Sequence, residues 1–287
     1  MINSMTGFAN VEHKTAFGTF IWDIRTVNHR YLESYFKLPD NLKSLEAKAR
    51  EKVRMELERG KMEAQLQFRP AVDQNSIVIN DDLAGRLAAA AARIRSLLGE
   101  NGGAVDPVAI LQMPGVMDSG ADASELAGAA YEAFCQAVEQ LKEARRREGD
   151  KLEKVLLEKL DAVETEVGKI RSGMPDVLAW QKNKLETALA NLKSSLDPDR
   201  IEQEFIIIAQ RLDIAEEIDR LTAHVSEVRS ILKKGGSCGK KLDFMMQEFN
   251  RESNTIASKS INAGITASAV ELKVLIEQMR EQIQNIE

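Results

Sequence analysis

Two stretches of this 287-residue chain carry side chains whose types and spacing suit metal chemistry. In QRLDIAEEIDRLTAHVSEV (210–228), a helix would turn each residue by about 100°. Asp213, Glu216, Glu217, Arg220, His224 and Glu227 then share an arc of about 100°, and Ile214, Ile218, Leu221, Val225 and Val228 fill the adjoining arc. Glu217 and His224 stand nearest the apolar edge, where a carboxylate and an imidazole would be partly buried. In KKLDFMMQEFNRESNTIASKS (240–260), Leu242, Met245, Met246, Phe249 and Ile256 form the apolar stripe. Glu248 and Glu252 border it one turn apart, whereas Gln247, Arg251 and Asn254 make a separate polar row with Asp243. The loop between these segments is short, so the helices should pack antiparallel as a hairpin. Facing carboxylates on such a hairpin converge on one cation. Oxygen ligands with one imidazole suit Mn²⁺ or Mg²⁺ better than zinc. An ion there would activate water and neutralise charge on a phosphodiester. The same residues also fit plain ion pairing, with Glu216–Arg220 along one helix and Arg220 and Arg251 bridging between helices. Spacing leaves both readings open.

The loop KKGGSCGKK (233–241) is not a phosphate-binding P-loop. That motif needs Gly, four residues, then Gly-Lys-Ser/Thr, and here Lys241 follows Gly239-Lys240 while Lys234 occupies the first position. Its lysines, Lys240 and Lys241 among them, still suit contacts to RNA phosphates. At the front of the chain Arg25, Asn28, His29 and Arg30 cluster between two extended runs, and Arg59-Gly60-Lys61 adds a second basic turn. Arginines make bidentate phosphate contacts and a histidine is an acid or base near pH 7. Ordinary turn chemistry accounts for the same residues equally well.

These side chains must be positioned by an α+β arrangement. Phe17–Val27 alternates as a strand, Tyr31–Leu38 is extended, and Leu42, Leu45, Ala49, Val53 and Leu57 follow a helical period with Asp40 as the expected cap. Met62–Phe68 and Ser76–Ile79 read as strands, and Asp81/Asp82 open a helix running to Leu98. After residue 130 the pattern is helical. Leu152, Leu156, Leu160, Val163, Val167 and Ile170 make a coiled-coil-like seam that Gly173 and Pro175 should end. Further helices are expected to about Ser195, from Arg200 to Lys234, and over Lys240–Ile256 and Thr266–Ile286. The expected organisation is an N-terminal layered sheet-and-helix domain (1–120), a long helical connector (121–200) and a mostly α C-terminal domain (201–287). The apolar stripes of 124–196 call for partner surfaces, so a homo-oligomer is expected.

Composition sets outer limits. No apolar run is long enough to span a membrane, the first residues lack a secretory signal, and Cys135 and Cys238 form no framework. A cytoplasmic protein is the expectation. The formal charge of −6 divides into +3 over residues 1–70, from twelve Lys/Arg and nine Asp/Glu, and −9 over the rest. A basic front and an acidic rear fit a phosphate backbone on one part and metal-binding carboxylates on the other.

SMTGF (4–8), TVNHRYLE (26–33), LPDNLKSLEAKAR (38–50) and RGKMEAQL (59–66) resemble the N-terminal signatures of the YicC family. RREGDKL (146–152) resembles its central block, and RLDIAEEIDRLTAHV (211–225) and GKKLDFMMQEFNRESNTIASKS (239–260) its C-terminal domain. The resemblance implies an endoribonuclease requiring a divalent metal, preferably Mn²⁺, assembled as a hexameric ring around RNA. With it, the candidates are Glu217, His224, Glu248 and Glu252 as metal ligands, and Gln247 and Arg251 around the scissile phosphate. His29 and Arg30 would complete the site, and Arg25, Arg59, Lys61, Lys240 and Lys241 would bind RNA. The rival is a non-catalytic RNA-binding adaptor that delivers small RNAs to another nuclease, which allows for other RNA-decay proteins as partners.

Overall fold

The computed structural model describes residues 2–71, 78–99, 103–113, 115–118, 123–191, 203, 206–207 and 213–287. The chain forms two compact units. One comprises Phe8–Arg25 and Leu32–Leu141, the other Met1–Gly7, Thr26–Tyr31 and Lys142–Glu287.

The first unit is built on four strands, β1 (Gly7–Thr15), β2 (Gly18–Val27), β3 (Leu32–Lys37) and β4 (Gly60–Pro70), in the order β1-β2-β4-β3. Alternation along β2 sends Phe20, Trp22 and Ile24 to one face, where they are fully buried. β3 and β4 run parallel, in register from Leu32↔Gly60 to Lys37↔Gln65. Parallel neighbours need a crossover, which is supplied by α1 (Leu45–Glu56) with its buried Leu45, Ala49 and Val53. Asp40 is not that helix's cap; it pairs with Lys43 at 2.6 Å, and the helix begins after Ser44. The strand β1 escaped the periodicity reading, because only Ala9 and Val11 are buried along it. The long helix α4 (Ala123–Asn191) closes the core, with Trp22 Nε1 donating to Ala130 O at 3.0 Å and the Trp22 and Phe134 rings 4.9 Å apart.

Beyond this core, β5 (Val78–Ile79) pairs with β6 (Met117–Asp118), and α2 (Asp81–Leu98) and α3 (Pro107–Leu111) lie between them. α2 starts at Asp81 and runs to Leu98 as expected, and Asn80 caps it by accepting from Leu83 N. Neither helix buries a residue, and Ile94, Leu97, Leu98 and Val108 are more than half exposed.

In the second unit, α4 from Lys142 onward packs with α5 (Ala215–Lys234), α6 (Gly239–Lys259) and α7 (Ala263–Ile283). The seam from Leu152 to Ile170 is buried in their shared core. Three expectations are corrected. Gly173 and Pro175 do not end the long helix, which runs through both to Asn191. A helix-interior proline costs about 3 kcal/mol, and the buried Ile170 and Val177 that bracket this one keep the helix packed on both sides. The helix expected from Arg200 to Lys234 is interrupted at Asp213 and Ile214, where the Asp213 carboxylate accepts from Ala215 N at 2.9 Å; most of its first half lies outside the described residues. Finally, the apolar stripes of α4 up to Val177 are buried within the chain itself, so they do not call for a partner. Unpartnered apolar surface lies instead on α2 and α3.

The second unit is closed by a clasp. Ser4 and Ile286 form an antiparallel bridge, flanked by hydrogen bonds from Met5 N to Asn285 O (2.7 Å) and from Glu287 N to Asn3 O (3.0 Å). Arg145, 2% exposed, donates to Ser4 O at 2.6 Å and to Glu287 Oε2 at 3.0 Å. Gly149 and Gly239 are glycines because backbone crosses there. A Cβ would strike the Ile2 carbonyl at Gly149 and the Ile286 carbonyl at Gly239.

Candidate metal centre

The loop between α5 and α6 is stopped by Gly235 and Gly236, both at positive φ. The helices therefore fold back as a hairpin, with Leu221, Val225, Leu242, Met246 and Phe249 fully or almost fully buried. His224 packs against Phe249, ring centroids 5.8 Å apart, which orients the imidazole. Across the seam stand Glu248 and Glu252. One ligand atom from each of His224, Glu248 and Glu252 lies within 4.8 Å of the others. Bonds of about 2.1 Å to a small divalent ion would require these atoms to close in through rotation of their side chains. His224 and Glu248 are half-buried and Glu252 is buried.

Each ligand candidate has a different neighbourhood. His224 Nε2 is buried and has no hydrogen-bond partner among the described residues, which is a cost unless something binds there. Glu252 receives Arg220 Nη1 at 3.2 Å on one oxygen, while Arg220 Nη2 reaches Glu216 at 2.5 Å. The hydrogen bond to Glu252 and the charges of Glu216 and Glu252 hold the Arg220 guanidinium above its usual range. Both readings left open by the sequence are thus present: an ion-pair ladder through Arg220, and a three-residue group beside it.

The fourth expected ligand stands apart. Glu217 is seven residues from His224, about 10 Å along the helix, and its Oε1 accepts from Lys259 at 2.8 Å. Lys259 also donates to Asp213 O at 2.8 Å. Its partner went unnoticed in the sequence, although Lys259 follows Glu252 by seven residues on the same face. Arg251 is exposed and makes no ion pair among the described residues. Gln247 points away, donating to Asp243 Oδ2 at 3.0 Å, and Asp243 in turn meets Arg280 of α7. Lys240 and Lys241 are exposed in the first turn of α6, and the Cys238 thiol before them is pushed up by burial, an inert position.

The N-terminal candidates form no part of this group. His29 and Arg30 occupy the loop after β2, with His29 Nδ1 3.1 Å from Tyr31 O and Arg30 stacked 5.3 Å over the Tyr31 ring. In the first unit Arg25 is exposed and lines a recess of about 420 Å³ with Phe8, Asp23, Tyr35 and Lys37. Arg59 directly precedes β4. Lys61 pairs with Glu63 at 2.8 Å, which offsets part of its charge.

Two family profiles match the chain, one over the sheet-bearing front and one over the helical rear. The profile "Endoribonuclease YicC-like, N-terminal region" matches residues 2–154, and "Endoribonuclease YicC-like, C-terminal" matches residues 170–287. The chain belongs to the YicC family. It is 48% identical over 289 aligned positions to a protein of Haemophilus influenzae named probable endoribonuclease YicC, covering all of both chains. It is 31% identical over 296 positions to a protein of the same name from Clostridioides difficile, again over the full length of each. Among the described residues no helix is long and apolar enough to cross a membrane.

Proposed function

We propose that this protein is a divalent-metal-dependent endoribonuclease whose ion is held by His224, Glu248 and Glu252. The observation that carries the reading is the buried Nε2 of His224, without a hydrogen-bond partner among the described residues, beside two carboxylates on the facing helix. An imidazole and two carboxylates fit Mn²⁺ or Mg²⁺, and such an ion, when bound, supplies an activated water and a counter-charge for the phosphodiester. The chain's own residues do the rest. Arg220 fixes one oxygen of Glu252 and leaves the other for the ion. Glu248 makes no hydrogen bond among the described residues, so it is uncommitted. Arg251 and the paired Lys240 and Lys241 present cations to the RNA backbone. Gln247, turned toward Asp243, is left out of this constellation, and Glu217 serves to anchor Lys259.

The test is end-labelled RNA incubated with purified protein, with EDTA and with added Mn²⁺. Internal cuts are expected only with the metal. RNA bound but uncut under every condition would favour the adaptor instead. Light scattering on the same preparation should give a mass near six chains. The exposed apolar residues of α2 and α3 supply the physical motive for assembly, and the number six comes from the family resemblance. A monomeric mass would remove the ring.

His29, Arg30, Arg25, Arg59 and Lys61 are proposed to bind RNA outside the metal group. The double variant Arg30→Ala/Lys61→Ala should weaken RNA binding several-fold and shallow its dependence on salt, because fewer counterions are released. Wild-type affinity with a wild-type slope would move the RNA surface elsewhere.

A further inference from the structure

Along α6 the exposed residues next to the candidate ligands are not random in type. On a helix turning about 100° per residue, Lys241, Phe244, Glu248, Arg251 and Glu252 share an arc of about 100° and span roughly 16 Å. Read along the axis, this stripe runs cation, aromatic, carboxylate, cation, carboxylate. Phe244 is 57% exposed, one turn before Glu248 and about 6 Å from it along the axis. A single exposed phenylalanine needs no explanation by itself. Here its neighbours supply one. The apolar core of α6 is made by Leu242, Met245, Met246, Phe249 and Ile256, and Phe244 is not part of it.

We propose that Phe244 is a stacking platform for an unpaired base of the RNA strand, next to the phosphate that the His224–Glu248–Glu252 group engages. The proposal rests on the nuclease reading and adds the substrate class, single-stranded RNA. Every base has a π-face, and sequence-tolerant proteins hold single strands by alternating cations for the phosphates with aromatics for the bases. Lys241 and Arg251, on either side of Phe244 and Glu248, supply the cations at that alternation. In a duplex the bases are stacked on one another and their faces are closed to protein, so the ring of Phe244 would meet sugar and phosphate instead. The same side chain that gains a base from a single strand therefore disfavours paired RNA.

The test separates binding from cutting. An RNA oligonucleotide carrying one 2-aminopurine is titrated with protein in EDTA, where a metal-dependent enzyme does not cleave. Wild type should quench the fluorescence at the positions beside the cut, and Phe244→Ala should lose that quenching and bind roughly 5- to 150-fold more weakly. Phe244→Trp should restore both. Annealing the oligonucleotide to its complement should cost wild type most of its affinity and cost Phe244→Ala little more. With Mn²⁺, the cleavage of single-stranded over paired RNA should fall toward parity in Phe244→Ala. Quenching and affinity within twofold of wild type in Phe244→Ala would overturn the proposal. So would a loss accompanied by a smaller mass in light scattering, which would assign the ring to a subunit contact. An absence of cleavage by wild type, with quenching intact, would sink the nuclease reading and leave the stacking standing.

Discussion

His224→Ala and Glu248→Gln should each lower Mn²⁺-stimulated RNA cleavage by at least about 100-fold, since even outer partners of a metal ligand cost 10- to 100-fold. Neither change should disturb the fold. His224 and Glu248 are only half-buried, and Glu248 makes no hydrogen bond among the described residues. Far-ultraviolet circular dichroism should therefore match wild type while Mn²⁺ affinity, followed by isothermal titration, collapses. Glu227→Gln, on the exposed side of α5, serves as the control and should cleave normally. Full cleavage by both purified ligand variants would remove the hairpin from the mechanism. Glu252→Gln is a less clean probe, because it also takes from Arg220 one of its two carboxylate partners.

The second large effect is on stability. Arg145→Met should destabilise the protein by about 3–5 kcal/mol, the usual cost of removing one partner of a buried ion pair. Its guanidinium is buried, held below its usual range by desolvation against which Glu287 works, and it satisfies both Ser4 O and the Glu287 carboxylate. The methionine fills similar space and removes the hydrogen bonds to Ser4 O and to the Glu287 carboxylate. The double variant Arg145→Met/Glu287→Gln should recover part of the loss, because the charge that Arg145 faced is removed with it. Urea unfolding followed by circular dichroism measures both. A single-variant loss below about 1 kcal/mol would show that the clasp contributes little.

The sheet core and the two helices of the candidate site were legible in the sequence because their periodicity is strict. Phe20, Trp22 and Ile24 alternate, and the stripes of α5 and α6 follow the helical period with hardly an exception. Pro175 misled, since its local rule is outweighed by packing from both sides that no window of sequence contains. The site was legible in part. His224, Glu248 and Glu252 came together because a short loop fixes which faces of two helices meet. Glu217 shares the helical face of His224 from two turns away, and its carboxylate meets a lysine there. That partner, Lys259, sits on another helix, and only the antiparallel register reveals the pair. The exposed apolar faces of α2 and α3 were equally invisible, because an apolar helical stripe does not say whether anything covers it.

The bridge between Ser4 and Ile286 has a consequence for the order in which the molecule is made. Residues at opposite ends of the sequence are neighbours, and Cys238 N, at the foot of α6, is bonded to Glu287 O. The sheet unit, by contrast, draws only on residues up to Leu141. On the ribosome, at about 5–20 residues per second, the sheet can close while the second half of the chain is still being synthesised. The segment around Ser4 must wait until its partner strand emerges, roughly 15–60 s after its own synthesis. Contacts of such high sequence separation form late, because loop closure is paid for before they are rewarded. The helix that carries Glu248 and Glu252 is therefore fastened at its base only after residues 285–287 have been made, and until then the hairpin stands unclasped.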